Sequence, residues 1–305
     1  MRSLLRSLVT ASVIAAAVLC VTVGSLASKM PRVVGRPDIG ETRTLSLPSA
    51  KLLRLTNDEG SVQVRTHEVG LIDVQAVIKA YIHSGTDRSA AEAYVASLVH
   101  AEPDGDALTL VTEPDDRSDM VDLRVDYTIL VPAGTDLDIV SSNGNVWISK
   151  DCGRVSVQGR NTDIEITAPR GAVAAQSTNG RIRVIDAPDG AAIKTVNGNV
   201  YAHMMGGSLQ AATTNGAIVA RMLDPRVEEC TLNSQNGGIT LVMQDECSAA
   251  IEAVTNRGVI SCDLPVDSAS GCHKRRHLKG AIGAGHTKVR METLNGNIWI
   301  AKGTL

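Results

Sequence analysis

The chain contains no phenylalanine, and only two tryptophans and four tyrosines are spread over its 305 residues. Large aromatic side chains therefore cannot fill its interior, and Val, Ile, Leu and Ala must supply the packing. Nor is there an excess of positive charge: 30 Lys and Arg stand against 33 Asp and Glu, for a formal net charge of −3. With so few rings to stack on bases, that balance argues against nucleic acid as a partner. A Gly-x-Ser-x-Gly elbow, a phosphate loop and a calcium-binding Gly-Gly-x-Gly-x-Asp repeat are all missing. Asp151, Asp163, Asp186, Asp189, Asp224 and Asp245 share no common place in any repeat, so they read as solvated corner residues. No catalytic residue, metal site or cofactor is expected, and the chain is read as no enzyme.

What is present is a ruler. Asn143-Gly144, Asn179-Gly180, Asn197-Gly198, Asn215-Gly216, Asn236-Gly237 and Asn295-Gly296 recur along the second half, with Asn161-Thr162 at the one vacant mark of an 18-residue spacing. Such self-similarity marks a solenoid or strand array. After each mark come two aliphatic positions separated by one residue, from Val146/Ile148 and Ile164/Ile166 to Ile260/Cys262 and Ile298/Ile300. The residues between them (Trp147, Glu165, Arg183, Tyr201, Val219, Thr240, Ser261, Trp299) share no character, as expected of the outward face of a strand. Halfway between marks lies a second apolar pair, as in Val155/Val157, Val173/Ala175, Ala191/Ile193 and Leu209/Ala211. Each unit thus holds two short strands and two corners. The corner Asn and Gly are expected to adopt left-handed conformations in tight turns, as are Gly153, Gly171, Gly190 and Gly207 near the second corner. Stacked amides would form a ladder from rung to rung. An antiparallel meander with Asn-Gly hairpin turns would give a similar pattern.

The fold class expected is mainly β: a single-chain β-solenoid with right-handed winding, about 18 to 21 residues per rung and two short strands per rung, preceded by a strand-rich lead-in with one helix. Residues 1–28 form an export signal or an uncleaved N-terminal anchor. Arg2 and Arg6 precede an apolar run over 8–27 that is long enough to span a bilayer, and Ser25-Leu26-Ala27 suits a signal peptidase. Residues 29–40 are a spacer, 41–132 the lead-in and 133–305 the repeats. Within the lead-in, strands are expected at 52–55, 62–64, 71–82, 107–111 and 121–131. The helix is placed over 88–100, capped by Thr86 or Asp87.

Tyr127 to Thr135, the repeated Thr-x-Asn-Gly-x-Ile pattern, and the closing Gly283-Ala284-Gly285 and Thr293 to Ile298 resemble the bacterial putative-adhesin family of β-strand-repeat domains, which is similar to the auto-transporter adhesin head domains called GIN. The resemblance implies an exported single-chain β-solenoid and brings no catalytic residues with it. Thr162 and Arg257 at corner positions, and a long insertion after Cys262, depart from the pattern.

The function expected is an exported, periplasmic or cell-surface scaffold that binds as an adhesin does. A self-assembling envelope protein and a polysaccharide-active β-helix enzyme are the alternatives. Candidate partners are an envelope polysaccharide, a lipid headgroup or another envelope protein, with membrane contact through 8–27 if that segment stays uncleaved. Two surfaces are candidates for binding. Lys274, Arg275 and Arg276 lie in the one concentrated run of positive charge, which could meet an anion. Trp147, Tyr201 and Trp299 share an outward register, but Trp147 and Trp299 fall in the first and last rungs, where covering the ends is the simpler role. Cys262, Cys272, His273, His277 and His286 interrupt the repeats. Ordinary burial, a Cys262–Cys272 disulfide and a metal site all fit them.

Overall fold

A computed structural model describes residues 37–112, 120–244, 247–267 and 273–303. The expected leader and anchor, most of the spacer, and Cys272 fall outside the described residues. The lead-in comprises β1 (Ile39–Pro48), β2 (Leu52–Glu59), β3 (Val62–His67), β4 (Leu71–Ile82), α1 (Arg88–Val95), β5 (Val99–Asp104), β6 (Ala107–Thr112) and β7 (Val121–Pro132). Then follow β8 (Asp136–Ile148), β9 (Val155–Thr167), β10 (Val173–Asn179), β11 (Ile182–Ala187), β12 (Ala191–Asn197), β13 (Val200–Met204), β14 (Gly207–Thr213), β15 (Ile218–Met222), β16 (Val227–Ser234) and β17 (Ile239–Met243). The chain closes with β18 (Ala249–Thr255), β19 (Ile260–Cys262), β20 (His273–Lys274), β21 (His277–Ile282), β22 (Thr287–Thr293) and β23 (Ile298–Lys302).

Rungs stack in parallel, which settles the choice against a meander. Val173 pairs with Val155 and with Ala191, and Ile182 with Ile164 and with Val200, so the inward pairs lie one above another. Val155, Val157, Ile164, Ile166, Ile182, Val184, Ile239 and Leu241 are all buried. Two strand faces enclose this thin aliphatic core, and β8 and β9 run through the first corner from one face to the other.

The lead-in continues both faces directly. β2 and β3 stack in parallel on the two halves of β8 and so form a rung of their own below it. Beyond them, β6 and β5 extend one face, and β7, β4 and β1 the other. The helix is shorter than the apolar periodicity suggested. It ends at Val95, Ser97 N donates to Tyr94 O at 2.9 Å, and Val99–Asp104 becomes β5, paired antiparallel with β6. Asp87 caps it, accepting from Ser89 N. β1, at the free edge of its face, lacks a fully buried side and carried no apolar alternation strong enough to announce a strand.

The largest departure from the linear reading concerns rung order. β22 and β23, last in sequence, pair with β16 and β17 on one side and with β18 and β19 on the other. The final rung is thus inserted beneath the one that precedes it in the chain. The segment between them, the expected insertion, is a hairpin: β21 pairs antiparallel with β18, and β20 with β21.

The corners also work differently from expectation. Among the glycines of the first corner only Gly144 has a positive φ, and no Asn of that corner does. A Cβ on Gly198 would lie 2.0 Å from Gly180 O, one on Gly216 1.9 Å from Gly198 O, and one on Gly237 1.9 Å from Gly216 O. Glycine stands there because the carbonyl of the neighbouring rung occupies the place of a side chain. At the second corner Gly190 and Gly207 do take positive φ whereas Gly153 and Gly171 do not, and Asp151, Ala168 and Asp186 adopt left-handed φ of 67°, 45° and 57°.

Candidate functional site

The first corner is held by two parallel columns. Outside, Asn161 Nδ2 donates to Asn143 Oδ1 at 2.7 Å, Asn179 to Asn161 at 2.8 Å, Asn197 to Asn179 at 2.7 Å and Asn215 to Asn197 at 2.8 Å. Asn236 donates to Asn215 and Asn295 to Asn236, each at 2.8 Å, so the ladder passes through the inserted rung. Inside, in four rungs a hydroxyl two residues before the Asn donates to the carbonyl below: Thr195 to Gly180, Thr213 to Gly198, Ser234 to Gly216 and Thr293 to Gly237. These residues fix the backbone and project no chemistry into a cleft.

The outward residues of the second face can project chemistry. The register places Gln63, Trp147, Glu165, Arg183, Tyr201, Val219, Thr240, Trp299 and Ser261 in one column along the stack. Neither tryptophan covers an end. The β3 rung lies below Trp147, and Trp299 has β19 above it because its rung is the inserted one. That insertion spaces the aromatics evenly: three rungs separate Trp147 from Tyr201, and three separate Tyr201 from Trp299, or about 14 Å each time at the usual strand spacing. Trp147 is 40% and Trp299 48% exposed. The Trp299 indole is oriented by Nε1 donating to Asp263 Oδ2 at 2.9 Å.

Between Trp147 and Tyr201 the surface dips into a groove of about 260 Å³, lined by Asn145, Trp147, Asp163, Ile164, Glu165, Arg181, Arg183 and Tyr201. The Arg183 guanidinium lies 4.9 Å from the centre of the Tyr201 ring, a cation–π contact that fixes its position. Arg181 Nη2 is paired with Asp163 Oδ2 at 3.0 Å, while Asp163 Oδ1 accepts from Arg181 N at 2.8 Å. Two roomier grooves, of about 450 and 490 Å³, have no aromatic lining. Asn145, Asp163 and Arg181 were not singled out from the sequence as surface candidates. For Asp163 the signal is an Asx two residues after the corner Asn that accepts the next rung's N–H, as Asn199 does from Ala217 at 2.9 Å.

The other candidates are dispersed. Arg275 and Arg276 are exposed in the hairpin turn, where their carbonyls accept from Ile260 N and Thr255 N, beside the terminal corner and Arg257. Lys274 enters the hairpin through β20. His277 faces Val254 at one end of β18, and His286 N donates to Ser248 Oγ at the other, so these two histidines stand at opposite ends of that strand. Among the described residues no group of three metal-binding side chains comes together. Burial pushes the Cys152 thiol up to about 12 and raises those of Cys230 and Cys262, which leaves none of the three a ready thiolate.

Among solved structures the chain is similar to a putative adhesin of Bacteroides fragilis, at 12% identity over 87% of this chain and 99% of that one, with a TM-score of 0.47. It is also similar to a putative lipid binding protein of Parabacteroides distasonis, at 10% identity over 86% of this chain and 96% of that one, with a TM-score of 0.44. No curated protein matches it. Residues 119–301, from β7 to the inserted rung, match the Toastrack DUF4097 family. With more than half of its length in that match, the chain belongs to the Toastrack DUF4097 family.

Proposed function

We propose that the protein is an exported envelope component whose solenoid is a non-enzymatic, adhesin-like scaffold, and that a polymeric ligand lies along the outer face of its second sheet. The observation that carries this reading is the column in which Trp147, Tyr201 and Trp299 stand at equal three-rung intervals. Neither tryptophan is needed to cover an end of the stack, each leaves a large part of its ring in solvent, and aromatic residues are enriched where partners dock. The stack runs out into antiparallel strands, β1 and β5 at one end and β21 over β18 at the other, in place of a further parallel rung, which favours a discrete scaffold over end-to-end assembly. In this reading residues 1–28 carry the export signal or anchor, 29–40 are a spacer, and the lead-in of 41–132 and the repeats of 133–305 present one continuous surface.

Binding of the purified protein to isolated envelope polysaccharide, measured by co-sedimentation, tests the reading. Trp147→Ala and Trp299→Ala should each lower the affinity about tenfold, in line with the loss of a buried aromatic anchor. Unchanged binding in both variants would remove this face as the ligand surface.

A further inference from the structure

The groove between Trp147 and Tyr201 has a charge arrangement that narrows the ligand, and the inference drawn from it rests on the scaffold reading above. At about 260 Å³ it is smaller than the roughly 300–1,000 Å³ of sites that enclose a whole small molecule, so it suits one or two units of a longer chain. Two of its four charges are spent on each other, in the Arg181–Asp163 pair. The other two are not. Glu165 and Arg183 are neighbours on adjacent rungs, yet among the described residues neither forms an ion pair, because the guanidinium is turned onto the Tyr201 ring on its far side.

What remains is a triad with distinct demands. Trp147 offers an exposed flat apolar face. Glu165 offers two carboxylate oxygens that only accept hydrogen bonds, and the Arg183 fork only donates. A neutral sugar would satisfy Trp147 and Glu165 but meet the guanidinium with uncharged oxygens alone, whereas a cationic sugar would meet Arg183 with like charge. A ring bearing both hydroxyls and a carboxylate answers all three: its C–H face lies on the indole, its hydroxyls donate to Glu165, and its carboxylate takes the planar fork of Arg183, a geometry suited to bidentate pairing. We propose that this groove binds a carboxylate-bearing sugar unit of an acidic polysaccharide.

Calorimetric titration of the full chain with three polymers tests this. Polygalacturonate has rings and carboxylates, its methyl ester has the same rings without charge, and polyglutamate has carboxylates without rings. Polygalacturonate should bind at least tenfold more tightly than either of the others. Arg183→Gln should reduce its affinity to that of the ester while leaving ester binding unchanged, and Trp147→Ala should weaken both ring polymers. Circular dichroism of the variants checks that these exposed substitutions leave the fold intact. Equal binding of acid and ester, equal binding of polyglutamate, or a preference for the acid that survives Arg183→Gln would each overturn the proposal. The scaffold reading stands or falls separately, on whether envelope polysaccharide binding depends on the two tryptophans.

Discussion

Thr162 occupies the space that a side chain at residue 159 would need: a Cβ built on Gly159 would lie 2.6 Å from the Thr162 Cβ. Elsewhere in the stack the hydroxyl residue precedes the Asn by two and the glycine follows it, as in Thr195-Val196-Asn197-Gly198. In this one rung glycine and threonine have changed places. Thr162 is fully buried, and its Oγ1 donates to Ser141 O at 3.0 Å, so the rung keeps a hydroxyl bond to the rung below.

Because the exchange is reciprocal, its two halves should be destabilising singly and compensating together. Gly159→Thr alone overpacks the corner and is expected to cost about 1–3 kcal/mol. Thr162→Gly alone leaves a void and an unmade buried bond, at a similar cost of about 1–3 kcal/mol. The double variant restores the pattern of the other rungs and should recover most of the combined loss in urea denaturation. Strictly additive losses would show that the two positions are not coupled.

A second prediction concerns Asp126, which ties β7 to its neighbours. Burial pushes its carboxyl upward, but this is outweighed by bonds from Ser61 N at 2.9 Å, Lys79 Nζ at 2.9 Å, the Arg124 guanidinium and Ser61 Oγ, which together hold it well below the ordinary carboxylate range. A group whose pKa is depressed on folding adds stability above its unfolded value, and that contribution is lost as the pH falls through the folded value. Asp126→Asn should therefore cost about 1–3 kcal/mol at neutral pH, with the deficit shrinking once the pH drops below about 4. A deficit constant from pH 7 to pH 2 would contradict the assignment.

The inserted rung yields a third. Removing residues 287–305 would leave β16/β17 and β18/β19 facing each other across an empty slot, each with an unpaired edge. Hydrogen exchange over 249–282 is expected to rise by orders of magnitude in the truncated protein, while β8 to β13 stay protected, since rungs depend mainly on their neighbours. A peptide of residues 284–303 added in trans should bind the slot and restore protection. Full protection without the peptide would mean that the outer rung does not depend on the inserted one.

How far the sequence could be read follows from what repeats. The inward pairs and the Asn-Gly corners were legible because the same contact recurs at every rung. The order of the last two rungs was not, for the same reason: Thr293 to Ile298 and Thr255 to Ile260 present nearly interchangeable edges, and nothing local states which lies on β16. The candidate surface was half legible. Trp147, Tyr201 and Trp299 could be put in one register, but their even spacing depends on the inserted rung. The role of the corner glycine was misread because a single chain displays backbone preference, whereas the carbonyl that excludes a Cβ belongs to another rung.

The asparagine ladder also gives the rod an electrical direction. From Asn161 to Asn295 every Nδ2 donates toward the N-terminal side of the stack, so the amide dipoles add head to tail instead of cancelling. Its donor end is met by the Asp58 carbonyl, which accepts from Asn143 Nδ2 at 3.3 Å. Its acceptor end at Asn295 faces the terminal rung, and there Arg257 holds the corner position, its N–H bonded to Leu294 O just as Asn295 N is bonded to Gln235 O. A cation beyond the negative end of aligned dipoles is the arrangement that stabilises a helix C-terminus. The one corner at which arginine replaces asparagine is thus the place where a column of neutral amides ends in a partial negative charge.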